Sequence, residues 1–267
     1  MTILHAAILG LVQGITEFLP ISSTAHLRLV PALLGWPDGG AAFTAVLQLG
    51  TLAAVIGYFM RDLLRMIAAA ARPATRKDLD ARMLRYMVAG TVPIGVAGLL
   101  ARHAVEGPLR SIAVIASSLI VVGIVMAIVE KKARHERTIE SFTLRDALIV
   151  GMAQTLALVP GTSRSGITLV AAMILGFRRD AAARFSFLLS IPAVAAAGVF
   201  ELPKLLHDHE VGPTALVTGL LVAAVSGYLS VAWLLRFLRT RTTYGFVVYR
   251  VILGLSLLAA LLGGMNG

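Results

Sequence analysis

The sequence predicts an all-α polytopic membrane protein, one integral membrane domain over residues 1–267. It is expected to be an inverted-topology repeat, with pseudo-repeats 1–140 and 141–267, each a re-entrant helix-loop-helix followed by three transmembrane helices. Three observations carry this. Hydrophobic residues make up 58% of the chain and charged residues 14%, against roughly 45–50% and 25% in a soluble domain. Apolar stretches long enough to cross ~30 Å of hydrocarbon at ~1.5 Å per residue recur along the chain. Basic residues collect in alternate gaps between those stretches.

Segment 3–35 comes first. Its apolar run lacks a basic leader and is broken by Gln13, Thr16, Glu17 and Pro20, so it does not read as a cleavable signal and is expected to stay in the mature protein. Spans are expected at 41–60, 86–101 and 111–129. Segment 144–176 is a second interrupted run, and spans at 185–200, 214–235 and 246–264 follow. Of the 24 Lys and Arg residues, 18 lie in the gaps 61–85, 131–145, 178–184 and 236–241, which the positive-inside rule makes cytoplasmic. The gaps 102–110 and 201–213, with Glu106, Glu201, Asp208 and Glu210, then face outward. For six spans to alternate on this scheme, 3–35 and 144–176 must each enter and leave on one side.

The chain also aligns with itself at an offset of about 140 residues. Gly10-Leu-Val-Gln13 falls over Gly151-Met-Ala-Gln154, Leu33-Leu-Gly35 over Ile174-Leu-Gly176, Pro20 over Pro160 and Ser23 over Ser163. Each half holds a Pro/Ser/Thr break and then three spans, an odd number that inverts the second copy. Inverted repeats with broken helices put their polar centre near the bilayer midplane, where half-helix N-termini can face an anion. The two tips are expected to meet there, because irregular backbone at that depth must be buried in protein or line a wet cavity.

The first motif is Gln13-Gly-Ile-Thr-Glu17-Phe-Leu-Pro-Ile-Ser22-Ser23-Thr24-Ala-His26. Gln13 and Glu17, four apart, share one helix face above the loop that Pro20 begins. Ser22, Ser23 and Thr24 precede an apolar helix, where they either cap it or offer hydroxyls and N–H groups to a ligand. His26 falls in its first turn, as a packing residue or a functional one. Glu17 costs on the order of 2.5–3.5 kcal/mol in an apolar segment, so it marks a functional site or a paired buried group. The second motif is Pro160-Gly-Thr-Ser163-Arg164-Ser165-Gly-Ile-Thr168. Its small residues allow close approach, its hydroxyls and N–H groups donate, and the Arg164 fork suits phosphate oxygens. The structural alternative is an ion pair between Arg164 and Glu17 across the repeat axis.

The remaining polar positions have plainer expectations. Arg28 and Arg250 are expected to snorkel to the interface, and His207 and His209 to sit in a solvated loop. Gly219, Ala223 and Gly227 form a small-residue stripe for helix packing that could also serve a homodimer. The absence of cysteine excludes disulfides and thiolate chemistry. The net charge of +10 is spread over the gaps instead of gathered on one soluble face, so no nucleic-acid partner is expected.

Together Gln13…Glu17, Phe18-Leu-Pro-Ile-Ser-Ser-Thr-Ala-His26 and Pro160-Gly-Thr-Ser-Arg-Ser-Gly-Ile-Thr168 resemble the bacterial undecaprenyl-diphosphate phosphatases linked to bacitracin resistance. Leu47-Gln-Leu-Gly50 and Phe185-Ser-Phe-Leu-Leu-Ser-Ile-Pro192 add to the likeness, which spans essentially the whole chain. The resemblance implies hydrolysis of a C55 polyprenyl diphosphate to its monophosphate and inorganic phosphate, recycling the carrier lipid for peptidoglycan synthesis. It implies activity positions at Glu17, Ser23, His26, Ser163, Arg164 and Thr168, and a divalent cation, magnesium or calcium. Many relatives carry Glu where this chain has Gln13, leaving one anionic ligand fewer.

The resulting expectation has Glu17, Ser23, His26 and Arg164 as catalytic residues and Ser22, Thr24, Ser163, Ser165 and Thr168 on the substrate. Glu17 and Gln13 hold the metal. The protein is expected in the bacterial inner membrane with its site opening to the extracytoplasmic side. A transporter or flippase of a polyprenyl phosphate is the competing reading, since inverted repeats are a transporter architecture. A structural scaffold has no use for Arg, Glu and His at membrane depth.

Overall fold

The computed structural model describes residues 1–37, 39–101, 109, 111–208 and 211–263, without side-chain detail for 41, 42 and 203–208. The expectations placed on Glu106, His209 and Glu210, and on the side chains of His207 and Asp208, lie outside the described residues. Ten α-helices are found among them: α1 Ile3–Phe18, α2 Ser23–Leu34, α3 Gly40–Ala71, α4 Leu79–Leu100, α5 Ile112–Lys132, α6 Leu144–Gln154, α7 Arg164–Ile174, α8 Arg179–Asp208, α9 Pro213–Phe237 and α10 Tyr244–Leu262. The six helices α3, α4, α5, α8, α9 and α10 are long and apolar enough to cross a membrane, as the apolar runs predict. The described residues form a helical fold, that of a multi-pass membrane protein.

Several helices run past their apolar stretch into the basic gaps. α3 continues ten residues beyond Arg61, and α4 starts seven before Tyr86. Ion pairs hold these extensions together. Asp62 accepts from Arg184 at 2.6 Å and pairs with Arg65, which reaches Asp80 at 3.7 Å. Arg82 donates to the Phe142 carbonyl at 2.8 Å. Glu130 pairs with Arg179 and accepts from the Thr243 hydroxyl at 2.8 Å. All four basic gaps therefore meet at one end of the molecule, consistent with a shared membrane side. Beneath them Phe142 stacks on Phe177 and Phe185, with ring centroids 4.3 and 4.0 Å away.

The ends of each interrupted segment come together. Arg137 binds Asp146 at 2.7 Å near the start of α6 and the Leu175 carbonyl at 3.1 Å just past α7. Burial works against the Asp146 carboxylate, but the Arg137 fork and Thr143 more than offset it and hold its pKa below the usual carboxylate range. At the other segment His5 of α1 stacks on Trp36, just past α2, with centroids 4.0 Å apart.

Glycine sets two of the helix crossings. A Cβ on Gly10 of α1 would lie 2.4 Å from the Gly219 carbonyl of α9, and one on Gly151 of α6 would lie 2.2 Å from the Gly90 carbonyl of α4. Dispersion and close backbone approach hold such crossings where lipid competes with every apolar contact. Gly14 meets Ala223 and Ser226, and Gly227 meets Ala54 and Phe18. The Gly219, Ala223, Gly227 stripe is thus helix packing, occupied within the chain, and it lends a homodimer no support. Helix α3 packs along α8, and α5 along α10.

Gly151→Ala is expected to lower stability by about 1–3 kcal/mol through overpacking against backbone. Gly57→Ala, with open space around the added carbon, should leave the thermal midpoint in detergent unchanged. Equal midpoints for both variants would show that the crossing is not close-packed.

Candidate functional site

Both breaks are built on a serine in a conformation that L-residues seldom adopt. Ser22 has φ 73° and ψ 96°, and Ser163 has φ 70° and ψ 112°. Each caps the next helix: Ser22 Oγ accepts from the Ala25 N–H at 3.4 Å, and Ser163 Oγ from the Gly166 N–H at 3.2 Å. Strain of this kind costs of order 1–3 kcal/mol per residue and persists only where surroundings impose it. The shared geometry corrects the self-alignment by one residue. Ser22, not Ser23, corresponds to Ser163, in step with Gln13 and Gln154 and with the left-handed Gly35 and Gly176. Ser23 then corresponds to Arg164, so the two helix N-termini present different chemistry.

The breaks touch. Arg164 donates to Glu17 Oε1 at 2.5 Å, the Ser23 hydroxyl to Glu17 Oε2 at 2.6 Å, and the Gln13 amide to the same Oε2 at 2.8 Å. Ser165 Oγ donates to the Leu19 carbonyl at 3.2 Å. The Glu17 and Arg164 side chains are 5% and 15% exposed. The structural alternative, an Arg164–Glu17 pair, is therefore present. It does not displace the functional one, because the pair borders a cavity of about 150 Å³. Its lining combines the polar residues Glu17, Ser23, Thr24, Gln48, Ser163 and Arg164 with the apolar residues Ile94, Ala157, Val159, Ala193, Val194 and Ala197. A charged head on an apolar stem matches that combination.

The other expected residues are placed differently. Ser22 is buried and spent on its cap. Ser165 is buried, bonded to Ser163 Oγ at 3.1 Å. Thr168 is wholly buried behind the second break, its hydroxyl bonded to the Arg164 carbonyl at 2.8 Å and to Ser186 Oγ at 2.5 Å. His26 stacks on Tyr249, with Nε2 2.6 Å from the Tyr249 hydroxyl and Nδ1 2.7 Å from the Ser22 carbonyl. It does not line the cavity.

Two site residues escaped sequence reasoning. Gln48 lines the cavity; in the sequence it was an amide inside an apolar run, noted only as part of the Leu47–Gly50 stretch of the resemblance and given no role. Arg250, expected to snorkel, is 0% exposed and donates to the carbonyls of Pro20, Gly161, Thr162, Ser118 and Leu119. It cannot reach the interface because both breaks close over it.

For a hard cation the available donors are Glu17, Ser23 Oγ and Gln13 Oε1. The last is buried with no partner among the described residues. No cluster of three or more His, Asp and Glu residues is found there. Oxygen donors with one carboxylate fit a cation that takes its remaining ligands from substrate phosphates, as magnesium commonly does. They do not make a self-sufficient cage. A larger cavity of about 480 Å³ lies at the basic end, lined by Arg65, Asp80, Glu140, Arg178, Asp180 and Arg184 among others. It contains no residue of either motif, and its cations largely face carboxylates.

Comparison with known proteins gives a consistent result. The family model described as bacitracin resistance protein BacA matches residues 6–256. The chain is 53% identical to a protein of Myxococcus xanthus named undecaprenyl-diphosphatase, over 99% of this chain and 91% of that one. It is 48% identical to an undecaprenyl-diphosphatase 2 of Frankia casuarinae, covering 99% and 96%. An undecaprenyl-diphosphatase of Thermobifida fusca is 46% identical, covering 97% and 90%.

Removing one partner of the buried pair leaves a stranded charge, so Glu17→Ala should destabilise the protein by about 3–5 kcal/mol. Combining it with Arg164→Met should restore part of that loss in thermal unfolding. Additive losses in the double variant would mean that the two charges are not coupled.

Proposed function

The chain belongs to the bacitracin resistance protein family, and we infer on that premise that it is an undecaprenyl-diphosphatase. This membrane hydrolase converts undecaprenyl diphosphate into undecaprenyl phosphate and inorganic phosphate, returning the carrier lipid to peptidoglycan synthesis. One observation carries the assignment of the site: Glu17 and Ser23 from the first break and Arg164 from the second converge beside one cavity whose lining is part polar and part apolar.

In our reading the terminal phosphate enters against Arg164, whose planar fork exchanges the Glu17 carboxylate for two phosphate oxygens. Ser163 and Thr24 grip the head group, and the apolar lining receives the first carbons of the lipid. The exchange frees Glu17 to accept a proton from Ser23, already hydrogen-bonded to it, or from a water in the same position. Attack in line on the terminal phosphorus forms the new P–O bond and breaks the bond to the bridging oxygen, which leaves with undecaprenyl phosphate. A phosphoserine at Ser23, if formed, is cleaved by water in a second step.

His26 lies three residues on from Ser23, on an adjoining face of α2. With both ring nitrogens bonded, to the Ser22 carbonyl and the Tyr249 hydroxyl, we assign it the positioning of the Ser22–Ser23 turn. Ser22, Ser165 and Thr168, expected on the substrate, do not line the cavity and instead brace the backbone of the two breaks. A magnesium or calcium ion held by Glu17, Gln13 and the diphosphate would neutralise charge on the phosphate oxygens.

The inverted repeat and the membrane topology belong to the same proposal. The α1–α9 crossing at Gly10 and Gly219 has its counterpart in the α6–α4 crossing at Gly151 and Gly90. The pairs α3–α8 and α5–α10 each join one helix from either half. These paired contacts support the inverted repeat. The contacts of His5 with Trp36 and of Arg137 with both ends of α6–α7 support two re-entrant segments. With the basic end cytoplasmic, the first break opens outward, and the site receives its substrate from the extracytoplasmic side of the bacterial inner membrane.

Purified protein in detergent should release phosphate from undecaprenyl diphosphate. Arg164→Ala should lower kcat/KM by at least about 100-fold, and a chelator should abolish release reversibly. A polyprenyl-phosphate flippase without hydrolase activity would release none. Ser23→Ala separates the two routes: loss of turnover, with phosphate trapped on Ser23 in the wild type, fits the covalent path, while retained turnover fits direct attack by water.

A further inference from the structure

Arg250 is the largest fully buried side chain among the described residues, and the mechanism above does not use it. Its guanidinium lies under both breaks. Nη1 donates to the Pro20 carbonyl at 3.0 Å, Nη2 to Gly161 at 2.9 Å and Thr162 at 3.1 Å, with longer bonds to Ser118 and Leu119 of α5. All these acceptors are peptide carbonyls, and no carboxylate forms an ion pair with Arg250 among the described residues. A buried ion normally demands an opposite charge, because effective desolvation costs several kcal/mol. Nearby, Glu17 and Arg164 neutralise each other. Arg250 therefore leaves the joined breaks with one uncompensated positive charge.

Its position relative to the strained serines sharpens the point. The carbonyls it holds are two residues before Ser22 and in the two residues directly before Ser163, the two positions with φ near +70°. In a trans peptide the N–H points opposite the carbonyl. Holding the Thr162 carbonyl inward turns the Ser163 N–H the other way, and Ser163 lines the cavity. A cation on the carbonyl also polarises that peptide and strengthens its N–H as a donor. Tyr249, the preceding residue, holds His26, so one turn of α10 fixes the first break, the second break and the histidine together.

We propose that Arg250 is a positioning residue for diphosphate hydrolysis, acting through the peptides of both breaks to aim Ser163 and Arg164 at the phosphate and lending the site the positive charge that an anionic head group balances. This rests on the phosphatase reading and adds to it a residue that touches no substrate.

The test compares wild type, Arg250→Lys and Arg250→Gln in detergent, measuring phosphate release from undecaprenyl diphosphate, inhibition by inorganic phosphate, and the thermal midpoint. Arg250→Gln should lower kcat by about 100-fold or more and raise the phosphate inhibition constant by about tenfold, the scale seen when a preorganised donor is lost. Arg250→Lys keeps the charge but grips fewer carbonyls. It should hold the inhibition constant within about threefold while kcat falls by about tenfold.

If Arg250→Gln gives no folded protein, Arg250→Lys decides. Lower kcat at an unchanged inhibition constant supports the proposal. A lower thermal midpoint with unchanged kcat per folded molecule overturns it, since a purely structural brace would act that way. Wild-type turnover and phosphate inhibition in a folded Arg250→Gln overturn it too. Wild-type protein that releases no phosphate would instead remove the phosphatase reading itself.

Discussion

Glu17 and Arg164 come within 2.5 Å of each other inside a bundle of apolar helices, where neither charge would be tolerated alone. Each belongs to a different half of the chain and sits at a point where a helix is interrupted. The pair thus satisfies both charges and docks one break on the other. Exchange of one anion for another is a modest step for such a pair. In the proposed mechanism a phosphate group takes the place of the carboxylate on Arg164 while the guanidinium stays paired, and the released carboxylate is then a base beside a hydroxyl already bonded to it. In that proposal stability and chemistry draw on the same contact.

That contact needs a rigid frame, because the backbone around it is strained. Ser22 and Ser163 occupy unfavourable conformations, and the packing that imposes them is close to the limit. The crossings at Gly10 and Gly151 leave no room for a side chain, and Gly161, at φ 91°, brings the second break against the Ile115 carbonyl. The charged end contributes as well. Arg137, Glu130 and Asp62 each bond to groups far apart in sequence, tying together helices at the charged end, where the second interrupted segment begins and finishes. With so many constraints outside the site, the few polar groups inside it are held in place before any ligand arrives.

Much of this was legible in advance. Long apolar runs identify spans because a bilayer imposes length and composition on any helix that crosses it, and the six runs correspond to six helices. Glu17 and Arg164 stood out because a charge in such a setting needs a reason. Other features depend on what surrounds a residue. Arg250 reads as a snorkelling side chain from its place in an apolar run, and only the closure of two distant breaks over it explains its burial. Thr168 and Ser165 sit among donors in the sequence, yet α7 turns them toward Ser186 and the first break. His26, three residues from Ser23, faces Tyr249 because α10 passes on that side.

The sequence by itself determined the membrane class, the number of spans and the two polar interruptions, since each follows from local composition measured against the bilayer. The tertiary structure decided which serines are caps, which line the cavity, and which cation is paired with carboxylate or with carbonyls. The pairing of Arg164 and of Arg250 depends on contacts between distant parts of the chain, and the closeness of the helix crossings is something a string of small residues permits without specifying the partner.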